Sequence, residues 1–456
     1  MNTGSFSDRE ALASEQVPAL PGVPFLGVLP KIGRDPLNFF LNAAAYHPVV
    51  RLDMGNRRLI LISEPDHVKY VLQDNNRNYH KGYGMVKPLL GEGLVTSDGE
   101  LWLRQRRLMQ PAFSKPELVV LSSTMIQLTK EMIDRWRKRS ELQEPLDIAN
   151  EMMALTQAII VRTMFGMDIG EDSATVSQAF RTTLEFFQTL MMSPLAQFYR
   201  LPTPANRRFR RAVSVLEEVI YKIIASRRKS GDVKADLLGM LLSAKNEETG
   251  EGMSDRQIRD EVMTIFLAGH ETTATLLAWT WYLLSKDPTV DRRVRAEIEQ
   301  TLAGREPTFD DLPKLTYTSM VLDEALRIYP PVWMFARQAV EDDSIGGYTI
   351  PAGAMLMLSP YVSHRLGSHW DNPEGFDPER FSPERSALRP RFAYFPFGGG
   401  PRQCIGNNFA KTEALLIISL IAHDFQLELV PGAQVRPAPM ATLRPRPGVP
   451  MVIKPL

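Results

Sequence analysis

A single cysteine, Cys404, occurs in the 456 residues, inside the run FGGGPRQCIG at positions 397–406. Three glycines precede it at 398–400, and Gly406 follows it by two. Glycine permits backbone conformations and close approaches that a Cβ forbids. The apolar run 407–423 reads as a helix, so the thiol stands where free N–H groups and the helix dipole favour its thiolate. Arg402 adds a fixed positive charge two residues away. A lone cysteine is most often a buried small hydrophobe. These surroundings suit instead a sulfur that stays deprotonated while a flat group lies against the backbone.

Three further constellations carry chemistry. Ala268-Gly269-His270-Glu271-Thr272-Thr273 falls mid-way along the longest helical candidate, 254–286. Ser254 with Gln257 makes a capping-box pattern and Asp287-Pro288 a stop. About 31 residues at 1.5 Å each span roughly 46 Å, enough to cross a domain. Glycine there costs about 1 kcal/mol relative to alanine, and a buried carboxylate needs a partner. A structural kink explains Gly269 but not the adjoining acid and hydroxyls; His270 reads as structural. Trp102 and Arg106, four apart in ELWLRQRRLMQ (100–110), share a helical face, with Arg104 and Arg107 turned toward the outer surface. Glu324 and Arg327 lie three apart, and the segment DPERF follows at 377–381.

Phe397, Gly400, Arg402, Cys404 and Gly406 fit F-x-x-G-x-R-x-C-x-G, which resembles the haem-binding loop of the cytochrome P-450 family. The other three stretches resemble, in the family's order, its propionate-binding W-x-x-x-R helix, its oxygen-activation motif A/G-G-x-D/E-T, and its E-x-x-R helix with the P-E-R-F segment. The resemblance implies haem b (iron protoporphyrin IX) with Cys404 as axial thiolate, which pushes electron density toward O–O cleavage. It assigns Phe397 and Gly406 to the cofactor loop, and Trp102, Arg106, Arg337 and Arg402 to the haem carboxylates. Thr272 would hydrogen-bond dioxygen and Glu271 relay protons through water. Glu324, Arg327 and Arg380 would form a buried charge network that builds the pocket without taking part in chemistry. Tyr83, Met85, Leu94, Phe187, Phe266, Ala268, Val332, Trp333 and Met440 are the expected substrate-pocket residues.

The implied reaction inserts one oxygen atom of O2 into an apolar small molecule, such as a fatty acid, terpenoid, steroid or polyketide, and reduces the other to water. No flavin or nicotinamide fingerprint occurs, so electrons are expected from a separate ferredoxin or flavodoxin-type donor with its NAD(P)H reductase. Arg104, Arg107 and Lys411 are its candidate contacts. A peroxide-driven peroxygenase, a haem-thiolate isomerase and a non-enzymatic haem sensor are the rival readings. Glu271 and Thr272 argue against the first two.

These residues need a frame to hold them. The resemblance implies a mainly α fold with a small β-rich lobe near the N-terminus, a polar tail at 1–16 and one haem-thiolate monooxygenase domain at 17–456. A proline-rich stretch (17–36) precedes a hairpin pattern at 49–63 and a short helix at 65–75. A glycine-broken loop (78–99), several helices (118–228), a polar, loop-rich stretch (231–252) and short strands (332–359) follow. His364 reads as a satisfied structural histidine. The 53 basic and 53 acidic residues cancel, which gives no sign of a nucleic-acid partner. One cysteine excludes an internal disulfide and fits a reducing compartment. No apolar stretch reaches the roughly 18 residues a bilayer requires, and the first residues lack a signal-peptide pattern. The expectation is a cytoplasmic monomer without a transmembrane anchor.

Overall fold

The helix Asp255–Lys286 runs through the centre of the molecule. Its Ser254 hydroxyl accepts from Gln257 N at 3.2 Å and Gln257 Oε1 accepts from Ser254 N at 3.0 Å, the reciprocal cap its sequence predicts. Asp287 ends it and caps the next helix, Pro288–Leu302, through Thr289 N and Val290 N. Side chains on every face of the central helix are buried, from Ile258 to Leu284, as expected of a core helix. A computed structural model describes residues 15–141, 144–166, 175–176, 178–179, 181–183, 185–186, 201–230, 236–244, 250 and 252–456.

Gly269 has a packing reason beyond any kink. A Cβ there would stand 2.6 Å from Ile160 Cδ1 of the helix Ile148–Phe165. Close by, Thr156 Oγ1 donates to the His270 carbonyl at 2.9 Å, so the two helices are tied by backbone proximity and by a buried hydrogen bond. One hydrophobic core surrounds this crossing. It takes Met125 and Trp136 from Lys115–Ser140, Leu216 and Ile220 from Pro204–Ser230, and Ile417 and Ile421 from Asn407–Asp424.

The β lobe is assembled from two distant parts of the chain. Val49–Met54 and Arg57–Ile62 form the expected hairpin, and Met355–Leu358 adds parallel to its second strand with Leu59 opposite Met355. Phe335–Ala339 and Tyr79–His80 complete a five-stranded sheet over its own cluster of Val49, Ile62, Leu356 and Leu358. The architecture is mainly α with a small β lobe.

Three boundaries differ from the sequence reading. Glu15–Gln16 pair in parallel with Tyr348–Thr349, so a paired strand lies inside the expected tail. The helix expected at 65–75 is α-helical only over Pro65–Lys69 and widens to a π turn at Tyr70–Asp74. Within the polar stretch, Leu237–Ser243 is a helix with Leu237, Leu238 and Leu241 buried. Asp236 caps it on Gly239 N at 2.7 Å and pairs with Arg227. Among the described residues no helix is long and apolar enough to cross a membrane.

Candidate active site

The cysteine loop closes through Cys404 N, which donates to the Phe397 carbonyl at 2.9 Å. Gly400 has φ +63°, and a Cβ there would meet Leu72 O at 1.9 Å, so only glycine fits. Arg106 Nη1 donates to the Gln403 carbonyl at 2.7 Å, which pins the helix Gly99–Met109 onto the residue before the cysteine. Cys404 is accessible, yet protein surrounds it closely enough for desolvation to push its thiol up from the ordinary value. Together these describe a sulfur facing an internal slot. The Gly406 N–H, Arg106 and Lys81 pull the other way without prevailing. The expectation of a favoured thiolate is thereby corrected for the metal-free chain: burial outweighs the helix end. Arg402 is also not the nearby cation that was expected. Its guanidinium goes to Ser97 O at 2.8 Å and Asp98 Oδ1 at 2.6 Å, 4.0 Å over the Trp102 ring.

The central helix is accessible at one stretch of its middle. Ala268 is exposed and Thr272 partly so, one turn apart, while 262–266 and 273–281 are buried. Thr272 Oγ1 donates to Ala268 O at 2.7 Å, the back-bond available to a helical threonine. Glu271 is buried beside them. Its Oε1 accepts from Thr442 Oγ1 at 2.6 Å and from Arg444 Nε at 2.9 Å and Nη2 at 2.7 Å. His270 bonds the Phe266 carbonyl through Nδ1 at 2.6 Å, and burial lowers its pKa. It is structural, as is His364, which meets Arg327 O and accepts from Phe395 N.

A group of cations sits at the rim. Arg337, Arg402, Asp98 and Cys404 all act electrostatically on Lys81, whose ammonium is pushed down to about 7, by desolvation first and then by the two arginines. Arg337 is buried, and Tyr83 is its hydrogen-bonding neighbour. Lys81, Arg337 and Arg402 thus face Asp98 as their counter-charge, with Arg106 beside Cys404, an excess that suits two carboxylates. Residues present fit a haem: a sulfur open to a slot, a glycine backbone on one side, accessible Ala268 and Thr272, and cations for the propionates. Lys81 was not found in the sequence, where it lies unpatterned among glycines. Arg444 and Thr442 were missed because nothing near them in the chain points to Glu271.

Glu324, Arg327 and Arg380 come together. Arg327 meets Glu324 at 2.6 and 2.8 Å, and Arg380 Nε meets it at 3.3 Å. Of the expected pocket residues, Tyr83, Ala268, Val332 and Met440 keep accessible surface and Leu94 is buried, while the Met85 side chain and Phe187 lie outside what is described. Two are buried among apolar neighbours. Phe266 lines a separate apolar cavity of about 40 Å³ with Val161, Leu216 and Ile220, and Trp333 packs with Phe40 in another cluster. Arg107 is exposed and Arg104 partly buried, but Lys411 is committed to Asp323 at 2.6 Å.

The fold and this slot define a haem-binding oxidoreductase. The chain belongs to the cytochrome P450 family, whose model matches residues 17–452. It is 40% identical over 418 residues to cyclooctat-9-en-7-ol 5-monooxygenase and 37% over 427 to cyclooctatin synthase, both of Streptomyces melanosporofaciens, covering 90% and 92% of each chain. It is 34% identical to pentalenene oxygenase of Streptomyces avermitilis, over 93% of this chain and 94% of that one. The crystal structure of the cytochrome P450DA haem domain superposes with a TM-score of 0.87 at 30% identity, over 97% of this chain and 98% of that one. The protein is a haem-dependent monooxygenase of an apolar small molecule.

Proposed function

We propose that the protein hydroxylates a cyclic terpenoid skeleton, with Cys404 ligating the haem iron and electrons arriving from a separate ferredoxin- or flavodoxin-type carrier. One observation carries the site assignment: Cys404 is accessible in its loop, and Ala268 and Thr272 are accessible between buried stretches of the central helix. The names of the three bacterial relatives, which concern cyclooctatin and pentalenene, support the substrate class. Haem, when bound, supplies dioxygen activation and the oxidising power.

The chain's own residues do the rest. Trp102, Arg106, Arg337 and Arg402, joined by Lys81, orient the cofactor through its carboxylates. Cys404 would hold the haem iron as the thiolate, a bound cation offsetting the desolvation that raises its thiol. Thr272 has its proton committed to Ala268 O, so its oxygen lone pairs are what it presents to the slot. Glu271 holds and passes protons from the side away from the substrate. Exposed Arg107 and its neighbour Arg104 receive the carrier, together with Lys411, which is paired with Asp323 and 36% exposed.

The test is a carbon monoxide difference spectrum of the reduced holoenzyme. It is followed by turnover with NAD(P)H, a surrogate ferredoxin and reductase, and a panel of cyclic sesquiterpene and diterpene hydrocarbons, fatty acids and steroids. A red-shifted thiolate-type band, lost in Cys404→Ala, and oxygenated terpene products are expected. Oxygenation of fatty acids or steroids in place of every terpene overturns the substrate class. A histidine-type band overturns the ligand assignment.

A further inference from the structure

The polar contacts of Glu271 come from far along the chain. Thr442 and Arg444 reach it from 171 and 173 residues away, and all three of their bonds fall on one oxygen, Oε1. Their backbone is held on both sides. Leu443 O accepts from Trp279 Nε1 of the central helix at 2.7 Å, and Leu443 N donates to Pro331 O at 2.9 Å. Met440 O accepts from Trp333 Nε1 at 2.9 Å. The hairpin of Arg436–Pro439 and Leu443–Arg446 is therefore clamped between the central helix and the segment after Ile328.

We propose that Thr442 and Arg444 are positioning residues for Glu271, and that the face of this hairpin is where protons pass from solvent to the central helix. The inference rests on reading Glu271 as the proton carrier. Arg444 bridges the two environments: its side chain is 28% exposed while that of Glu271 is 4% exposed. A further titratable group beside Glu271 is His270, which burial holds toward its neutral form with Nδ1 occupied. Arg444 is thus the cation that compensates the Glu271 carboxylate in a place where an unpaired charge is costly. A proton taken from water at the exposed edge of Arg444 converts the Glu271 carboxylate to the acid. It leaves toward Thr272, the next residue of the helix, and the carboxylate is restored. Because Met440 and Trp333 belong to the same clamp, a ligand that shifts them shifts the partners of Glu271.

Infrared difference spectroscopy of the holoenzyme reads this directly. Arg444→Met should give a Glu271 carboxyl band at a new frequency, because two of the three bonds on Oε1 are lost. The doubly substituted Arg444→Met, Glu271→Gln protein should lack it. A second readout needs no substrate: NAD(P)H consumption and peroxide release with a surrogate ferredoxin and its reductase. Full reduction of dioxygen to water takes twice the electrons of release as peroxide. Peroxide should therefore rise toward the NAD(P)H consumed in Arg444→Met, with an altered pH profile, and fall back in Arg444→Lys. Thr442→Val, which loses the 2.6 Å bond, should shift the same readouts less and serves if Arg444→Met fails to take up haem. If Glu271→Gln raises the peroxide share but neither hairpin variant does, and no new carboxyl band appears, the positioning role is overturned while the Glu271 reading survives. If Glu271→Gln changes nothing, both fall.

Discussion

Arg327 meets Glu324 edge to edge, Nε to Oε2 at 2.6 Å and Nη2 to Oε1 at 2.8 Å, with neither side chain accessible. The remaining guanidinium donors go to the carbonyls of His364, Pro373 and Gly375, so all five N–H groups of the arginine are used. Glu324 in turn accepts from Asp377 N at 2.9 Å and from Arg380. The network therefore fastens the segment 364–380 to the helix Thr316–Ile328. A lysine could not replace the fork. Arg327→Lys should lose about 3–5 kcal/mol, the cost of leaving a buried partner unpaired. Urea unfolding and the carbon monoxide spectrum would show a lower midpoint and poor haem uptake. An unchanged midpoint would count against the network.

Gly269 yields a prediction with a built-in rescue. Alanine is the better helix former by about 1 kcal/mol, so an exposed glycine at this position would be improved by it. Here the new methyl would stand 2.6 Å from Ile160 Cδ1, and overpacking of this kind costs about 1–3 kcal/mol. Gly269→Ala should be destabilised, and Ile160→Val, which removes that methyl, should recover most of the loss in the double variant. Additive losses in the double-mutant cycle would mean that the clash is not the cause.

What the sequence disclosed was set by chain distance. Glu324 and Arg327 stand three apart, and the cysteine loop is ten residues long, so spacing alone placed them. Arg444 and Glu271 are separated by 173 residues, and Lys81 meets Arg337 and Arg402 from distant elements; no local period marks such pairs. The Cys404 thiol shows the same limit in another form. Its local setting, a helix start with an arginine nearby, argues for a lowered pKa, but desolvation by the whole fold outweighs it. Gly269 was noticed, but its packing reason was not, because its neighbour Ile160 belongs to another helix.

Glu261 should make stability depend on pH. Its carboxyl is pushed up to about 8, by desolvation first and by Asp260, against the Leu94 N–H and Lys81. The ordinary value is near 4.5, so between the two pH values the folded chain keeps a proton that the unfolded chain has released. The stability tied to this group is fully present below about 4.5 and lost as pH rises toward 8, at no more than about 1.4 kcal/mol per pH unit. Glu261→Gln can still accept from Leu94 N, as Oε2 does at 3.0 Å, and cannot ionise. Urea midpoints at pH 5.5 and 7.5 should fall less in the variant than in the parent. Equal slopes would mean that Glu261 is not the group responsible.

Lys81 gives the sharpest test of the rim. In the cofactor-free chain its pKa is pushed down to about 7, because it is desolvated and faces Arg337 and Arg402. Two haem carboxylates at the same place would supply the missing counter-charge and raise that value, so cofactor binding and protonation of Lys81 favour each other. Haem retention due to this residue is then fully present at low pH and lost as pH rises through the raised pKa. A charge-assisted hydrogen bond of this kind is worth about 1.5–3 kcal/mol, so Lys81→Met should release haem to an excess of apomyoglobin roughly tenfold faster near pH 6.5. As pH rises past the raised value, the parent protein should approach the variant. A ratio of rates that stays constant with pH would mean that the lysine supports the loop without meeting a carboxylate. The four-cation rim would then reduce to its three arginines.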